Sequence, residues 1–230
     1  MEIRVNQIEL NGLTFKYRES GESSAPPIVA LHALGRSSDS WDQVAAQLGD
    51  KYRILALDQR GHGGSPRTSE YSFELMCDDL LHFVNAMNLE RFTLIGHSMG
   101  GTVSYLFAES FSSRIDRLIV EDTPPPFHDK PINIPSKPSE PLPFDWPVVP
   151  SILEQLNEPN PEWWTRLGDI SVPTLIIGGG GSSHIPQTKL QEVSEIIPNC
   201  EFVTIEDAGH FVHDANLPAF TGALKSFLKF

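Results

Sequence analysis

Only two cysteines occur among 230 residues, Cys77 and Cys200, and neither falls in a Cys-X-X-Cys or Cys/His spacing. That argues against a disulfide framework and against a structural metal, and fits a reducing, cytosolic setting. Long apolar runs are missing too: nothing approaches 18 residues, and the opening MEIRVNQIELNG alternates polar with apolar side chains. Neither a membrane-spanning helix nor the apolar core of a signal peptide is expected. Basic residues are scarce, 17 Lys+Arg against 30 Asp+Glu, for a net charge of −13. This sign repels nucleic-acid phosphates and anionic membrane surfaces, so neither is an expected partner. What is present is length enough to bury about 70–75% of the unfolded surface in one core, with no staple required.

From residue 7 to 122 short β-branched runs alternate with longer amphipathic segments, the pattern of a mostly parallel sheet flanked by helices. The opening differs: 8–10 and 14–19 flank Asn11-Gly12, which predicts an antiparallel hairpin. Further strands are expected at 28–32, 53–58, 92–96, 117–122, 173–179 and 201–207, making eight. Ser40-Trp41-Asp42-Gln43 has capping-box form, predicting a helix with Trp41, Val44, Ala45 and Leu48 on one face. Phe73, Met76, Leu80 and Met87, with Phe83 or Val84 between them, mark a second core-facing stripe.

Residues 123–170 break the rhythm, holding 12 of the 19 prolines and three of the four tryptophans. That much proline argues against a long helix or central strand, although Asn160-Pro161 suits the start of a short helix. The aromatics argue against a disordered linker. The expectation is a core of 1–122 and 171–230 carrying a compact lid at 123–170.

Gly96-His97-Ser98-Met99-Gly100 directly follows the expected strand FTLIG and opens an apolar helix. A serine on so tight a strand-to-helix turn needs small neighbours two residues away on each side, because backbones come close there. With His32-Ala33-Leu34-Gly35 after the third strand and Asp58-Gln59-Arg60-Gly61-His62-Gly63 after the fourth, the chain resembles the α/β-hydrolase superfamily, in a serine esterase-like branch with a short lid. The resemblance covers nearly all of the chain outside the insertion. These segments are similar to the family's nucleophile elbow, His-Gly-X-Gly oxyanion loop and Asp-X-Arg-Gly-His-Gly turn. Ala33 stands where glycine is usual, and its Cβ restricts the backbone of the oxyanion loop.

Such a serine needs a base, and the base needs a carboxylate. The resemblance places the base at His210, just after the last strand. His97, His32 and His62 are read as structural, while His82, His128, His184 and His213 carry no motif argument. The acid is a departure. Many relatives carry it after the seventh strand, but that loop here reads GGGGSSHIP, Ser182 falls where the aspartate would be, and no Asp or Glu occurs between Asp169 and Glu192. Others carry it after the sixth strand, where this chain offers Glu121-Asp122. Strand alternation lets at most one serve. Asp122 is preferred for its place at the strand end and its shorter arm, with Glu121 open and Glu206 and Asp207 weaker. The Leu34 and Met99 N–H groups are expected to bind the oxyanion and their side chains to line the pocket.

The implied activity is hydrolysis of small to medium neutral carboxylic esters, without metal or cofactor, through an acyl-enzyme on Ser98. Phe127, Phe144, Trp146, Trp163 and Trp164 either wall the pocket or pack on the core. Perhydrolysis, lactone or thioester hydrolysis and carbon–carbon cleavage remain open on the same triad, as does a slow-turnover ligand sensor of the same fold.

Overall fold

The computed structural model describes residues 2–230. Strands β1 (Arg4–Leu10) and β2 (Leu13–Ser20) form the expected hairpin. Asn11 and Gly12 both have positive φ, 49° and 78°, as a two-residue hairpin turn compatible with strand twist requires. There follow β3 (Pro27–Leu31), α1 (Asp42–Leu48), β4 (Arg53–Leu57), α2 (Phe73–Ala86), β5 (Phe92–His97), α3 (Met99–Phe111) and β6 (Ile115–Glu121). After the insertion, which contributes α4 (Val148–Asn157) and α5 (Glu162–Thr165), come β7 (Thr174–Gly178), α6 (Gln187–Ile196), β8 (Cys200–Thr204), α7 (Val212–Ala215) and α8 (Leu217–Leu228). The eight strands lie in the order β1-β2-β4-β3-β5-β6-β7-β8. The first two pairings in that order are antiparallel and the rest parallel.

Alternation along the strands divides the core. Val29, Leu31, Leu55, Leu57, Leu94, Leu118 and Val120 face α2 and α3. Ile28, Ala30, Ile54, Ala56, Ile95 and Ile119 face α1 and α8. Both faces of the parallel strands are therefore covered, which is why these strands read as unbroken apolar runs. Strand order reverses beside β3: its successor β4 lies on one flank and β5 on the other. In open α/β sheets ligands bind at the carboxyl ends of strands at such a switch point. Leu34 follows β3 and Ser98 follows β5. No helix among the described residues is long and apolar enough to cross a membrane.

Two local expectations need correction. Ser40 does not cap α1; it lies within a short 3₁₀ turn, Ser38–Trp41, and donates its hydroxyl to the Ser37 carbonyl. The 3₁₀ turn takes the residues a capping box would have used. The proline-rich insertion does contain a ten-residue helix, α4. Pro147 precedes it and Pro150 occupies its first turn, where the N–H that proline lacks has no helical acceptor to lose. The short helix expected after Asn160 forms as α5, with the Asn160 Oδ1 accepting the Glu162 N–H.

The insertion is fastened to the core at several points. The Asp145 N–H donates to the Gly61 carbonyl and its carboxylate accepts the Tyr71 hydroxyl, each at 2.6 Å. The Gln155 Oε1 accepts the Phe73 N–H at 3.1 Å, and Trp163 packs edge-on against Phe73, while within the insertion the Trp164 indole donates to the Pro126 carbonyl. Residues 128–141 are its exposed stretch apart from this anchoring.

Candidate active site

β5 delivers Ser98 to the N-terminus of α3 with φ 52° and ψ −118°, a region that ordinary residues rarely enter. The flanking glycines are sterically required. A Cβ on Gly96 would lie 2.3 Å from the Gly100 carbonyl oxygen, and one on Gly100 would lie 2.4 Å from that of Leu31. Ser98 is partly exposed between the buried His97 and Met99. As the first residue of a helix, Met99 has an N–H with no intrahelical acceptor. The Leu34 N–H likewise donates to no group among the described residues. Both residues line the same cavity as Ser98, so two free donors and the positive end of α3 converge there. Ala33 is accommodated because its φ is not positive, whereas Gly35 takes the left-handed conformation at 77°.

His210 donates its Nδ1–H to Asp122 Oδ2 at 2.9 Å. Asp122 is buried and leaves the sheet at φ 44°, a conformation aspartate tolerates better than most residues. The loop after β7 bears no carboxylate; it and the first residue of α6 supply donors to Asp122: the Gly179 N–H at 2.8 Å, the Ser183 hydroxyl and the Gln187 side-chain amide at 3.1 Å. Burial alone would raise the Asp122 carboxyl. Hydrogen bonds from His210, Ser183, Gly179 and Gln187 outweigh it and hold the group below its usual range. The carboxylate thus stays ionised beside the imidazole, while Ser98 and His210 are not yet hydrogen-bonded to each other, a looseness common before substrate binds.

Glu121 turns to the opposite side, as strand alternation requires. It accepts the backbone N–H of His213 at 3.0 Å and its Nδ1–H at 2.6 Å. His97, His32 and His62 each bond a main-chain carbonyl through one ring nitrogen. The second nitrogens of His32 and His62 accept the N–H groups of Gln59 and Gly35. Burial drives His97 down to about 4 and His62 to about 3, so both are neutral at physiological pH. Glu206 and Asp207 are exposed.

The cavity over Ser98 has a volume of about 330 Å³. Its walls include Leu34, Phe73, Met99 and Ile185 from the core, with Pro124, Pro125, Pro126, Phe127, Ile152 and Leu156 from the insertion. Of the five insertion aromatics, Phe127 alone is in that wall; Phe144, Trp146 and Trp164 pack against the core and Trp163 belongs to it. Four contributors escape the sequence reading. Phe73 reads there only as core. Ser183, in the loop without an acid, and Gln187, at the start of α6, become donors only once the fold brings them to Asp122. His184 is a fourth: it lines the cavity, with its ring centroid 4.4 Å from that of His210.

A strained serine at a strand-to-helix turn, following a residue, His97, that hydrogen-bonds the main chain of a histidine paired with a carboxylate, marks a hydrolase of α/β architecture. The family model for the alpha/beta hydrolase fold matches residues 26–155, and the chain belongs to that family. It is similar to the sn-1-specific diacylglycerol lipase ABHD11 of Danio rerio, 26% identical over 91% of this chain and 80% of that protein. It is similar also to the esterase YbfF of Escherichia coli, 27% identical over 88% of this chain and 92% of that one. Among solved structures, a putative lipase from Acinetobacter baumannii AYE superposes with a TM-score of 0.86 at 22% identity, over 99% of this chain and 91% of its own. Relatives named as esterases and lipases place ester hydrolysis within the reach of this chain.

Proposed function

We propose that the protein is a serine carboxylic ester hydrolase acting on small to medium neutral esters. The observation that carries this reading is the Asp122–His210 pair, tied by the His97 ring to the end of the strand that delivers a serine held in the elbow conformation. His210 Nε2 takes the Ser98 proton as the oxygen attacks the ester carbonyl carbon. The Leu34 and Met99 N–H groups hold the resulting oxyanion, and Asp122 balances the imidazolium. Collapse expels the alcohol, which leaves with the proton from His210. Water then adds to the acyl-enzyme by the same route, releasing the acid and restoring Ser98.

The walls support a neutral acyl group. They are mainly apolar, and the charged pair among them, Asp129 and Lys130, is of opposite sign. A volume of about 330 Å³ lies at the small end for ligand sites. On this reading the segment 123–170 serves as a lid over a core of 1–122 and 171–230, and a small-molecule ester is the partner. A fluorophosphonate probe followed by peptide mass spectrometry should label Ser98. Ser98→Ala should abolish labelling and lower kcat on short-chain p-nitrophenyl esters by at least about 10⁴-fold. Label retained by the alanine variant would overturn the choice of nucleophile, and labelling without turnover would overturn the esterase reading.

A further inference from the structure

Glu121, the last residue of β6, and Asp122 just after it are consecutive carboxylates, and they grip the segment 210–213 at two places. Asp122 holds the His210 ring. Glu121, fully buried, holds His213 three residues further on, through both its backbone N–H and its Nδ1–H. A third contact joins the same segment to the nucleophile strand. The Nε2–H of His97, also buried, donates to the carbonyl oxygen of His210 itself at 2.8 Å. The residue before the serine is therefore hydrogen-bonded to the main chain of the residue that must take the serine's proton.

His97, Glu121 and His213 offer ligand atoms within 4.8 Å of one another, which raises the question of a metal ion. Their hydrogen bonds point elsewhere. His213 presents a protonated Nδ1 to Glu121, and His97 commits its Nε2–H to a carbonyl. Trp41 covers the His213 ring in a stack at 4.7 Å and 16°. Charge is also matched inside the cluster. Burial alone would lower His213, but the Glu121 carboxylate raises it, while Glu121, which burial alone would raise, is lowered by His97 and His213. His213 Nε2 is buried and finds nothing closer than Asp214 Oδ1 at 3.6 Å. A segment that only had to pack would be better served by an apolar side chain there, because an unmatched buried nitrogen is costly.

We propose that Glu121, His213 and His97 are positioning residues for the general base. They fix the main chain around His210 against the end of β5, so that its ring meets Ser98 in one orientation. The inference rests on the reading of Ser98, His210 and Asp122 as the triad. Apart from them, the Asp122 contact, the Gly209 N–H to the Gly179 carbonyl at 2.9 Å and the more exposed Arg36, which pairs with Asp214 at 2.8 Å and lies over the Phe211 ring, hold this stretch. Catalytic geometry is intolerant, since about 1 Å of misplacement can cost about 100-fold in rate.

The amide nitrogen of glutamine can reach the place of histidine Nε2, and that of asparagine cannot. His97→Gln and His97→Asn are therefore compared with wild type on a short-chain p-nitrophenyl ester, with thermal melts and fluorophosphonate inactivation rates alongside. Asparagine should lower kcat by about 10- to 100-fold with KM within about twofold, and glutamine should recover it to within about fivefold of wild type. Glu121→Gln, near-isosteric and uncharged, should lower kcat by about tenfold, again at near-constant KM. Equal kcat in the asparagine and glutamine variants, or a loss confined to KM, would overturn the proposal while leaving the triad reading intact wherever wild type is labelled at Ser98. So would one equivalent of bound metal whose chelation abolishes activity. Wild type that neither labels nor turns over ester would overturn both.

Discussion

At residue 98 the backbone holds a conformation that costs about 1–3 kcal/mol elsewhere, and three features keep it there. β5 fixes the entry, the Thr102 N–H to the Ser98 carbonyl closes the first turn of α3 at 3.0 Å, and Gly96 and Gly100 leave no room for relaxation. The strain presents the hydroxyl in front of free N–H groups. Asp122 is held by a different means, four donors around one buried carboxylate. Asp122→Asn keeps the shape but leaves an amide that cannot accept all four and favours the wrong imidazole tautomer, so kcat should fall about 10⁴-fold. Ser183→Ala removes one neutral donor and leaves the others, and should cost no more than about tenfold. Ester turnover by the two variants tests both. An Asp122→Asn enzyme of near-normal rate would remove Asp122 from the triad.

Among the elements, the strand–turn–helix units were the most legible in the sequence, because buried parallel strands are unbroken apolar runs and an elbow demands glycine at two fixed offsets. Eight strands, the hairpin turn and the motif loops could all be read that way; alternation limited the acid to one of Glu121 and Asp122, and the strand-end place and shorter arm of Asp122 favoured it. What stayed hidden depends on tertiary neighbours. The 3₁₀ turn at Ser38–Trp41 removes Ser40 from a capping role, α4 begins inside a proline-rich tract, and nothing local in His184 or His213 reveals that the fold brings them beside His210 and Glu121. The elbow's demand can be measured. Gly100→Ala would force α3 away from β3 at the Leu31 carbonyl, with a loss of at least about 2 kcal/mol, or roughly 4–8 °C in Tm. Gly222, exposed within α8, has nothing within 4 Å of its notional Cβ, so Gly222→Ala should instead add about 0.4–1 kcal/mol. Differential scanning calorimetry of the pair separates steric need from helix propensity. Similar shifts in both would show that close approach at Gly100 is not limiting.

Across the whole molecule, buried titratable groups bound the stability window from both sides. On the acid side Asp122 and Glu121 are held low, so the stability they contribute is present above their unfolded pKa and lost as pH falls through the folded one. His97 and His62, lowered to about 4 and about 3 by burial, act in the same direction, since they must be charged to unfold the acid form. On the alkaline side the leading group is Glu109 of α3, 6% exposed, with neither carboxyl oxygen hydrogen-bonded. Arg166 donates to its backbone carbonyl at 2.9 Å, and burial pushes the carboxyl up from 4.5 to about 8. A raised carboxyl favours the folded state fully below its unfolded pKa, and that contribution drains away as pH rises toward about 8, by at most about 1.4 kcal/mol per pH unit. His213, raised by Glu121, loses its contribution as pH climbs through its folded value. Below about 6.5 the unfolded imidazoles of His97 and His62 take up protons that the folded ones refuse, so stability should peak near neutral pH and decline from there toward pH 8. Glu109→Gln replaces the titrating group by a neutral one of the same shape. Urea midpoints at pH 7 and pH 8, a range in which the unfolded imidazoles of His97 and His62 are already largely neutral, should then nearly converge in the variant, leaving only the smaller slope of His213, while wild type unfolds at lower urea at pH 8. Parallel wild-type and Glu109→Gln curves would mean that the carboxyl meets solvent and is ionised throughout.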